Sequence, residues 1–432
     1  MKIVLFTPGL TTSAIGRMAA LVVMQLSERG HSLVVVRTEA PRLLSRPAHH
    51  FGVPLSHWTD DAHISDAIKA ADLIVHQIGN NYDFHMGSLE WLPRAPAVVC
   101  LHDFYLAHLF HGWASTHMGQ AKRLLARWNG VDSAEAFFLY ANSARFIELT
   151  RDTMPMTEWV ADMAAGVITH SSWGIARVAN ACAGPVWTIP LAYDIPACSE
   201  KVGTLALDPA PAHTIKLLTV GHINPNKRIE SVIEAIAGSP FLREKVCYRL
   251  VGSIEPLTIE HLESMASSLG VRLLISGEVD EFHLAEAFGE ADIVSCLRWP
   301  SLESASASAI EALLHGKPML VTATGFYNEI PDTCAIKIDQ ADEIEAVRRA
   351  LELFCMDMDA ARSMGAAAQA WAANIFTPLA YACKLEEIAM ILPRASVTNA
   401  IGRYFGNMLG AWGGASLAGE VDMGALAILD SR

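Results

Sequence analysis

Glu303 and Glu311 bracket a run of Ser and Ala within the stretch Trp299 to Pro331, WPSLESASASAIEALLHGKPMLVTATGFYNEIP. The run enters an apolar helix that Gly316, Lys317 and Pro318 close; Met319 to Thr322 form an apolar, partly β-branched segment, and a Thr-Gly turn leads to Glu329. Small hydrogen-bonding residues at a helix N-terminus leave backbone N–H groups and the positive end of the helix dipole facing outward, which favours an anion. A second group lies upstream, in Gly221-His222-Ile223-Asn224-Pro225-Asn226-Lys227-Arg228, between a strand and an amphipathic helix bearing Ile229, Val232, Ile233 and Ile236. Lys227 offers a point charge and His222 a hydrogen bond, which together suit a diphosphate. A solvated Asn-Pro turn with an exposed Lys is the plainer alternative. The first loop, Pro8 to Gly16, also joins a strand to a helix, but it fits neither G-x-G-x-x-G nor a Walker ending. Its small polar residues still suit a ligand at the carboxyl edge of a sheet.

These loops need strands to hold them. Residues 2–7 read as a buried strand, Met18 to Glu28 as a helix that Gly30 ends, and Ser32 to Val36 as the next strand, a βαβ opening. Strands at Leu73 to His76, Ala97 to Leu101, Gly166 to Thr169 and Val186 to Pro190 continue the series, with a helical insertion from Phe104 to Met163. Residues 193–213 hold three prolines without periodicity and read as a linker. A second series follows, with strands at Ile215 to Val220, Cys247 to Val251, Val271 to Ser276, Asp292 to Cys296, Met319 to Thr322 and Ala335 to Ile338. Continuous apolar strands separated by helices mean α/β architecture with parallel sheets covered on both faces. The expected division is 1–192, linker 193–213, 214–375, and C-terminal helices with a Gly- and Ala-rich tail over 376–432. The tail from Pro393 is expected to be loosely packed, with a membrane contact or an oligomer arm as the alternative.

Composition narrows the function. The 432 residues are 52% apolar and 18% charged, with a net charge of −14, so large cores are available and a general nucleic-acid binder is disfavoured. The cysteines are scattered in apolar runs without C-x-x-C spacing, as in reduced cytoplasmic proteins. The first residues, MKIVLFTPGL, read as a strand rather than a signal peptide, and no apolar run is long enough to span a bilayer. The basic cluster Lys122, Arg123 and Arg127 reads as an ordinary amphipathic helix face, with an acceptor-binding or membrane-surface helix as the sharper reading, the latter implying peripheral contact at the inner face of the cytoplasmic membrane. His108 and His111 share helical spacing but lack a third metal ligand. His85 and His170 read as structural.

Taken in order, QIGNNYDFH (77–85), VVCLHDF (98–104), GVITHSSW (166–173), VGHINPNKR (220–228) and the Glu303-x₇-Glu311 block resemble the retaining glycosyltransferases of family 4 over most of the chain. The resemblance implies the GT-B fold, two Rossmann-like domains facing each other across a cleft, with the acceptor side N-terminal, the donor side C-terminal and the last helices crossing back. It implies that Lys227 and His222 meet the donor diphosphate, that Glu311 holds the ribose, that Glu303 lies against the donor sugar, and that His102 reaches that sugar from the opposite side. Ser304, Ala305 and Ser306 would meet phosphate or sugar oxygens through their backbone, and Gly9, Thr11 and Thr12 would line the donor site. His222 stands where the family usually has Arg, and Thr11, Thr12 and Ser13 where it usually has a Gly-Gly pair. The implied partners are a nucleotide-diphosphate sugar and a carbohydrate or glycolipid acceptor, in glycan or glycoconjugate biosynthesis, with no cofactor or metal required. A nucleotide-sugar epimerase or a non-catalytic nucleotide-sugar binder are the alternatives.

Overall fold

The apolar runs at the middle of each sheet become strands whose central residues are buried on both faces, as parallel sheets flanked by helices require, while those at the sheet edges are half-buried. The protein is described by a computed structural model that covers residues 1–141, 143, 145–194 and 214–411. All but the first two residues of the expected linker, and the tail beyond 411, lie outside the described residues.

The first sheet contains β1 (Lys2–Thr7), β2 (Ser32–Arg37), β3 (Leu55–His57), β4 (Leu73–Ile78), β5 (Val98–Leu101), β6 (Gly166–Thr169) and β7 (Val186–Thr188) in the order β3-β2-β1-β4-β5-β6-β7. The second contains β8 (Ile215–Val220), β9 (Val246–Val251), β10 (Arg272–Ile275), β11 (Ile293–Cys296), β12 (Met319–Thr322) and β13 (Ile336–Ile338) in the order β10-β9-β8-β11-β12-β13. Every pairing is parallel. In each sheet the first strand lies between the second and the fourth, so the chain leaves it in opposite directions on its two sides. That reversal opens a crevice at the carboxyl edge, the place where open α/β sheets bind ligands. The candidate residues follow β1 and β5 in the first sheet and β8 and β11 in the second.

Local signals explain the helix ends near those loops. Ser13 caps the helix Ala14–Glu28, its Oγ accepting the Gly16 N–H at 3.1 Å. The helix Ala307–Leu314 stops at Gly316, whose φ of +65° suits glycine. A helix, Pro378–Ala411, extends into the first part of the expected tail, and residues beyond 411 lie outside the described residues. This helix packs on Ala14–Glu28, with Tyr381 Oη donating to Cys100 Sγ at 3.2 Å and Arg29 Nη2 to Glu386 Oε2 at 2.7 Å. Apolar side chains of both halves join one core cluster through Ile189, Leu191, Tyr193 and the Tyr381–Leu392 face. Among the described residues no helix is long and apolar enough to cross a membrane.

Candidate active site at the interdomain cleft

The halves touch along a short backbone seam. Phe104 and Tyr105 N–H groups donate to Leu302 O at 2.9 and 3.0 Å, the Ser304 N–H donates to His102 O at 3.0 Å, and Asp103 and Glu303 form an antiparallel bridge. Side chains reinforce it: Ser171 Oγ donates to Ser304 O at 2.6 Å, and the Ser172 N–H and Oγ donate to Glu329 Oε1 at 2.6 and 2.7 Å. Beside this seam the halves part into a cleft of about 980 Å³ lined by Thr11, Thr12, Ser13 and Arg17 on one side and by Gly221, His222, Gly252 and Glu311 on the other. Lys227, His102 and Glu303 do not line that cavity themselves.

Lys227 lies one layer beneath. Its side chain is buried and its Nζ donates to Val220 O at 2.6 Å, so close behind Gly221 that a Cβ there would sit 3.1 Å from the ammonium. Burial first, and Arg298 second, push the Lys227 pKa down to about 7, while Glu303 and Cys296 act in the opposite direction. The exposed-lysine alternative is thereby corrected: the apolar end of β8 takes this side chain in. Glu303 Oε1 accepts the Tyr327 hydroxyl at 2.6 Å and lies 3.4 Å from Arg298 Nε. Lys227, Arg298, Glu303 and Tyr327 thus share one cluster at the β8/β11 crevice, with two cations to one carboxylate.

Glu311 belongs to a neighbouring cluster. It is 4% exposed, its Oε2 accepts the Tyr193 hydroxyl at 3.2 Å, and burial pushes its pKa up to about 7 against the pull of Arg17. Arg17 stacks over the Tyr193 ring at 4.5 Å, donates to Asp194 Oδ1 at 3.2 Å and reaches Glu281 Oε1 at 3.5 Å. His222 is exposed at the cleft wall, its Nδ1 3.0 Å from Ser253 Oγ.

On the N-terminal side, His102 Nε2 donates to Gln77 Oε1 at 2.6 Å, and its ring lies 4.7 Å from that of His170. Burial, aided by His170 and His85, keeps its pKa well below the usual histidine value, so the ring is neutral with its lone pair on Nδ1. Asp103, the next residue, has its carboxyl pushed up to about 7, chiefly by burial, with the Asn80 N–H donating to Oδ2 at 2.8 Å.

Two expected roles are altered by internal partners. The N–H groups of Gly9 and Leu10 donate to Glu39 Oε1 at 2.7 and 2.8 Å, so a buried carboxylate already occupies the anion nest of the first loop and Gly9 has no N–H to offer. Thr11 and Thr12 remain exposed at the cleft. The Ser304 N–H and hydroxyl are engaged by the N-terminal half, Oγ donating to Leu101 O at 2.5 Å, which makes Ser304 an interdomain contact. Ala305 and Ser306 are buried where the helix Ala307–Leu314 starts.

Sequence reasoning passed over Arg298, Tyr327, Tyr193, Arg17 and Asp103. Arg298 carried a usable signal, a lone arginine closing the apolar run Ile293 to Leu297.

Gly252 gives a direct test of the cleft floor. Its φ is +138°, its N–H donates to Gly277 O at 2.7 Å, and a Cβ would fall 2.1 Å from Gly221 O. Gly252→Ala is expected to displace the 221–228 loop and weaken nucleoside diphosphate binding at least roughly tenfold, about 1.4 kcal/mol, measured by calorimetry. Unchanged binding would dissociate that loop from the nucleotide site.

Residues 209–371 match the family model described as Glycosyl transferases group 1. No curated protein matches the chain by sequence. Among solved structures, the chain is similar to sucrose-phosphate synthase from Thermosynechococcus elongatus, with TM-score 0.63, 15% identity, and coverage of 91% of this chain and 99% of that one. It is similar to the Rickettsia africae glycosyltransferase, with TM-score 0.60, 13% identity and coverage of 90% and 98%. It is also similar to Anabaena HepE in complex with UDP-glucose, with TM-score 0.58, 16% identity and coverage of 90% and 98%. At such identities the likeness speaks for the fold, and the family match speaks for the C-terminal half. The chain thus has the GT-B fold, and its segment 209–371 matches the glycosyl transferases group 1 model.

Proposed function

We propose that this protein is a retaining glycosyltransferase that moves a sugar from a nucleotide-diphosphate sugar to an acceptor hydroxyl. The observation that carries the reading is the cluster of buried Lys227 and Arg298 with the part-exposed Glu303 at the β8/β11 crevice, Lys227 lying directly behind the Gly221 wall of the cleft. The match of residues 209–371 to the glycosyl transferases group 1 model supports it, as does the structural similarity to Anabaena HepE, solved in complex with UDP-glucose.

In this reading Glu311 holds the ribose, displacing the Tyr193 hydroxyl, and Lys227 and His222 meet the diphosphate across Gly221. Glu303 faces the sugar, and His102 approaches it from the N-terminal side. Retention requires the acceptor oxygen to arrive on the face that the leaving group departs from. Double displacement needs an ionised carboxylate free to attack. In this reading the open oxygen of Glu303 meets a sugar hydroxyl rather than the anomeric carbon, and the Asp103 carboxyl is shifted toward its protonated form, so neither is given that role. A front-face displacement fits better: the anomeric C–O bond breaks, the acceptor oxygen bonds to the anomeric carbon, and the departing phosphate oxygen takes the acceptor's proton. Lys227 and neighbouring backbone amides stabilise the charge that develops on the diphosphate.

The test is incubation with UDP-, GDP- and ADP-sugars and simple glycosides, with products identified by mass and their anomeric configuration by NMR. Transfer with retention is expected; inversion, or neither transfer nor hydrolysis of any donor, would sink the reading. Contact with a membrane surface is part of the proposal for the acceptor side, supported by Leu139 and Val131, 76% and 63% exposed, on the helix Val131–Tyr140 that follows the basic helix Ala107–Asn129. Cosedimentation with anionic vesicles tests it, and failure to bind them at low salt would remove it.

A further inference from the structure

Glu303 is held through one oxygen. Its Oε1 accepts the Tyr327 hydroxyl at 2.6 Å and faces Arg298 Nε at 3.4 Å, whereas among the described residues Oε2 has no hydrogen-bond partner. The supports are buried, Tyr327 at 0% and Arg298 at 6% exposure, while the Glu303 side chain keeps 28% of its surface. A guanidinium taken from water needs partners for its remaining donors. Arg298 Nη1 donates to Leu297 O at 2.8 Å and Nη2 to Ser308 Oγ at 3.1 Å, and Ser308 Oγ lies 3.2 Å from Ser306 Oγ. The alternating serines after Glu303 therefore have separate tasks: Ser304 joins the halves, and Ser306 and Ser308 lead to the arginine that fixes Glu303. The part-exposed side chain leaves the second oxygen to solvent, where a ligand hydroxyl can take the place of water. A carboxylate clamped from behind with its second oxygen open is prepared for a ligand hydroxyl.

We infer that Arg298 and Tyr327 are positioning residues for Glu303, holding its carboxylate so that Oε2 accepts a hydroxyl of the transferred sugar. The inference rests on the sugar-transfer reading for the identity of that ligand. Arg298 also adds positive charge beside Lys227.

The test compares binding of UDP with UDP-glucose, and of GDP with GDP-mannose, by calorimetry in the full chain and in Tyr327→Phe, Arg298→Lys and Arg298→Met. Donor turnover is measured alongside. Tyr327→Phe removes one oxygen and keeps the ring, so it tests the inference even if Arg298→Met fails to fold. For the pair that the wild type prefers, affinity for the nucleoside diphosphate is expected to stay within about twofold in Tyr327→Phe, and the extra affinity for the sugar nucleotide to disappear. Turnover is expected to fall about tenfold in Tyr327→Phe and further in Arg298→Met, with partial recovery in Arg298→Lys. The inference is overturned if Tyr327→Phe keeps both the extra affinity and the turnover, if diphosphate affinity falls in parallel with them, or if the wild type shows no extra affinity for either sugar nucleotide. A wild type that shows the extra affinity but neither transfers nor hydrolyses any donor would overturn the transferase reading alone, and loss of that affinity in Tyr327→Phe would still support the positioning role.

Discussion

Lys227→Ala is expected to lower kcat/KM for sugar transfer by roughly 10³, about 4 kcal/mol, the scale of removing one preorganised group from a developing oxyanion. The ammonium sits behind Gly221 in a layer where water is excluded, so its field on a diphosphate is weakly screened. The same burial makes binding depend on pH. Free Lys227 has its pKa pushed down to about 7 by burial and Arg298, against Glu303 and Cys296. A bound diphosphate favours the charged form, so the pKa in the complex lies above that of the free protein and binding takes up a proton between the two values. Affinity is therefore highest below about pH 7 and declines as pH rises through it. Glu311, pushed up to about 7, works in the opposite direction, because an ionised carboxylate accepts ribose hydroxyls better. The ratio of nucleoside diphosphate Kd in Lys227→Ala to that in wild type removes the Glu311 contribution. That ratio is expected to shrink about tenfold from pH 6 to pH 8. A ratio independent of pH, or a kcat/KM loss under about tenfold, would take the lysine away from the diphosphate.

The sequence exposes what depends on neighbours along the chain and hides what depends on partners across it. β1, β6, β8 and β12 coincide with their apolar runs because strands buried on both faces need continuous Val, Ile and Leu. β3 spans only Leu55–His57 at a sheet edge, too short for any period, and the helix Tyr82–Trp91 opens on Asn81 and Asp83, residues that equally suit a loop. The first loop reads locally as an anion nest, and so it is; the anion is Glu39, on the segment after β2. Ser304 carries the right groups for a ligand, yet they meet Leu101 and His102, whose place opposite it is set by how the two sheets face each other. Tyr193 and Tyr327 look like ordinary core aromatics until their hydroxyls are seen on Glu311 and Glu303. The two glutamates could be read as chemistry, but the groups that hold them could not.

Glu303→Gln is expected to lower kcat by roughly 10² to 10³ while leaving nucleoside diphosphate affinity within about twofold, because the nucleoside diphosphate carries no sugar for Glu303 to meet. The amide oxygen can still accept the Tyr327 hydroxyl, so shape and one hydrogen bond survive while the charge is lost. A stability effect must be separated from this catalytic one. Arg298 is buried and Glu303 is its acidic partner, and breaking a buried pair costs about 3–5 kcal/mol when it strands a charge. Glu303 is 28% exposed at its side chain, so solvent screens part of that cost and a smaller fall in Tm is expected. The double variant Glu303→Gln with Arg298→Met separates the two effects. It removes the stranded charge, so Tm is expected to recover toward wild type, while kcat stays low because the open carboxylate oxygen facing the sugar is still missing. Recovery of kcat together with Tm would show that Glu303 matters only as the counter-charge of Arg298.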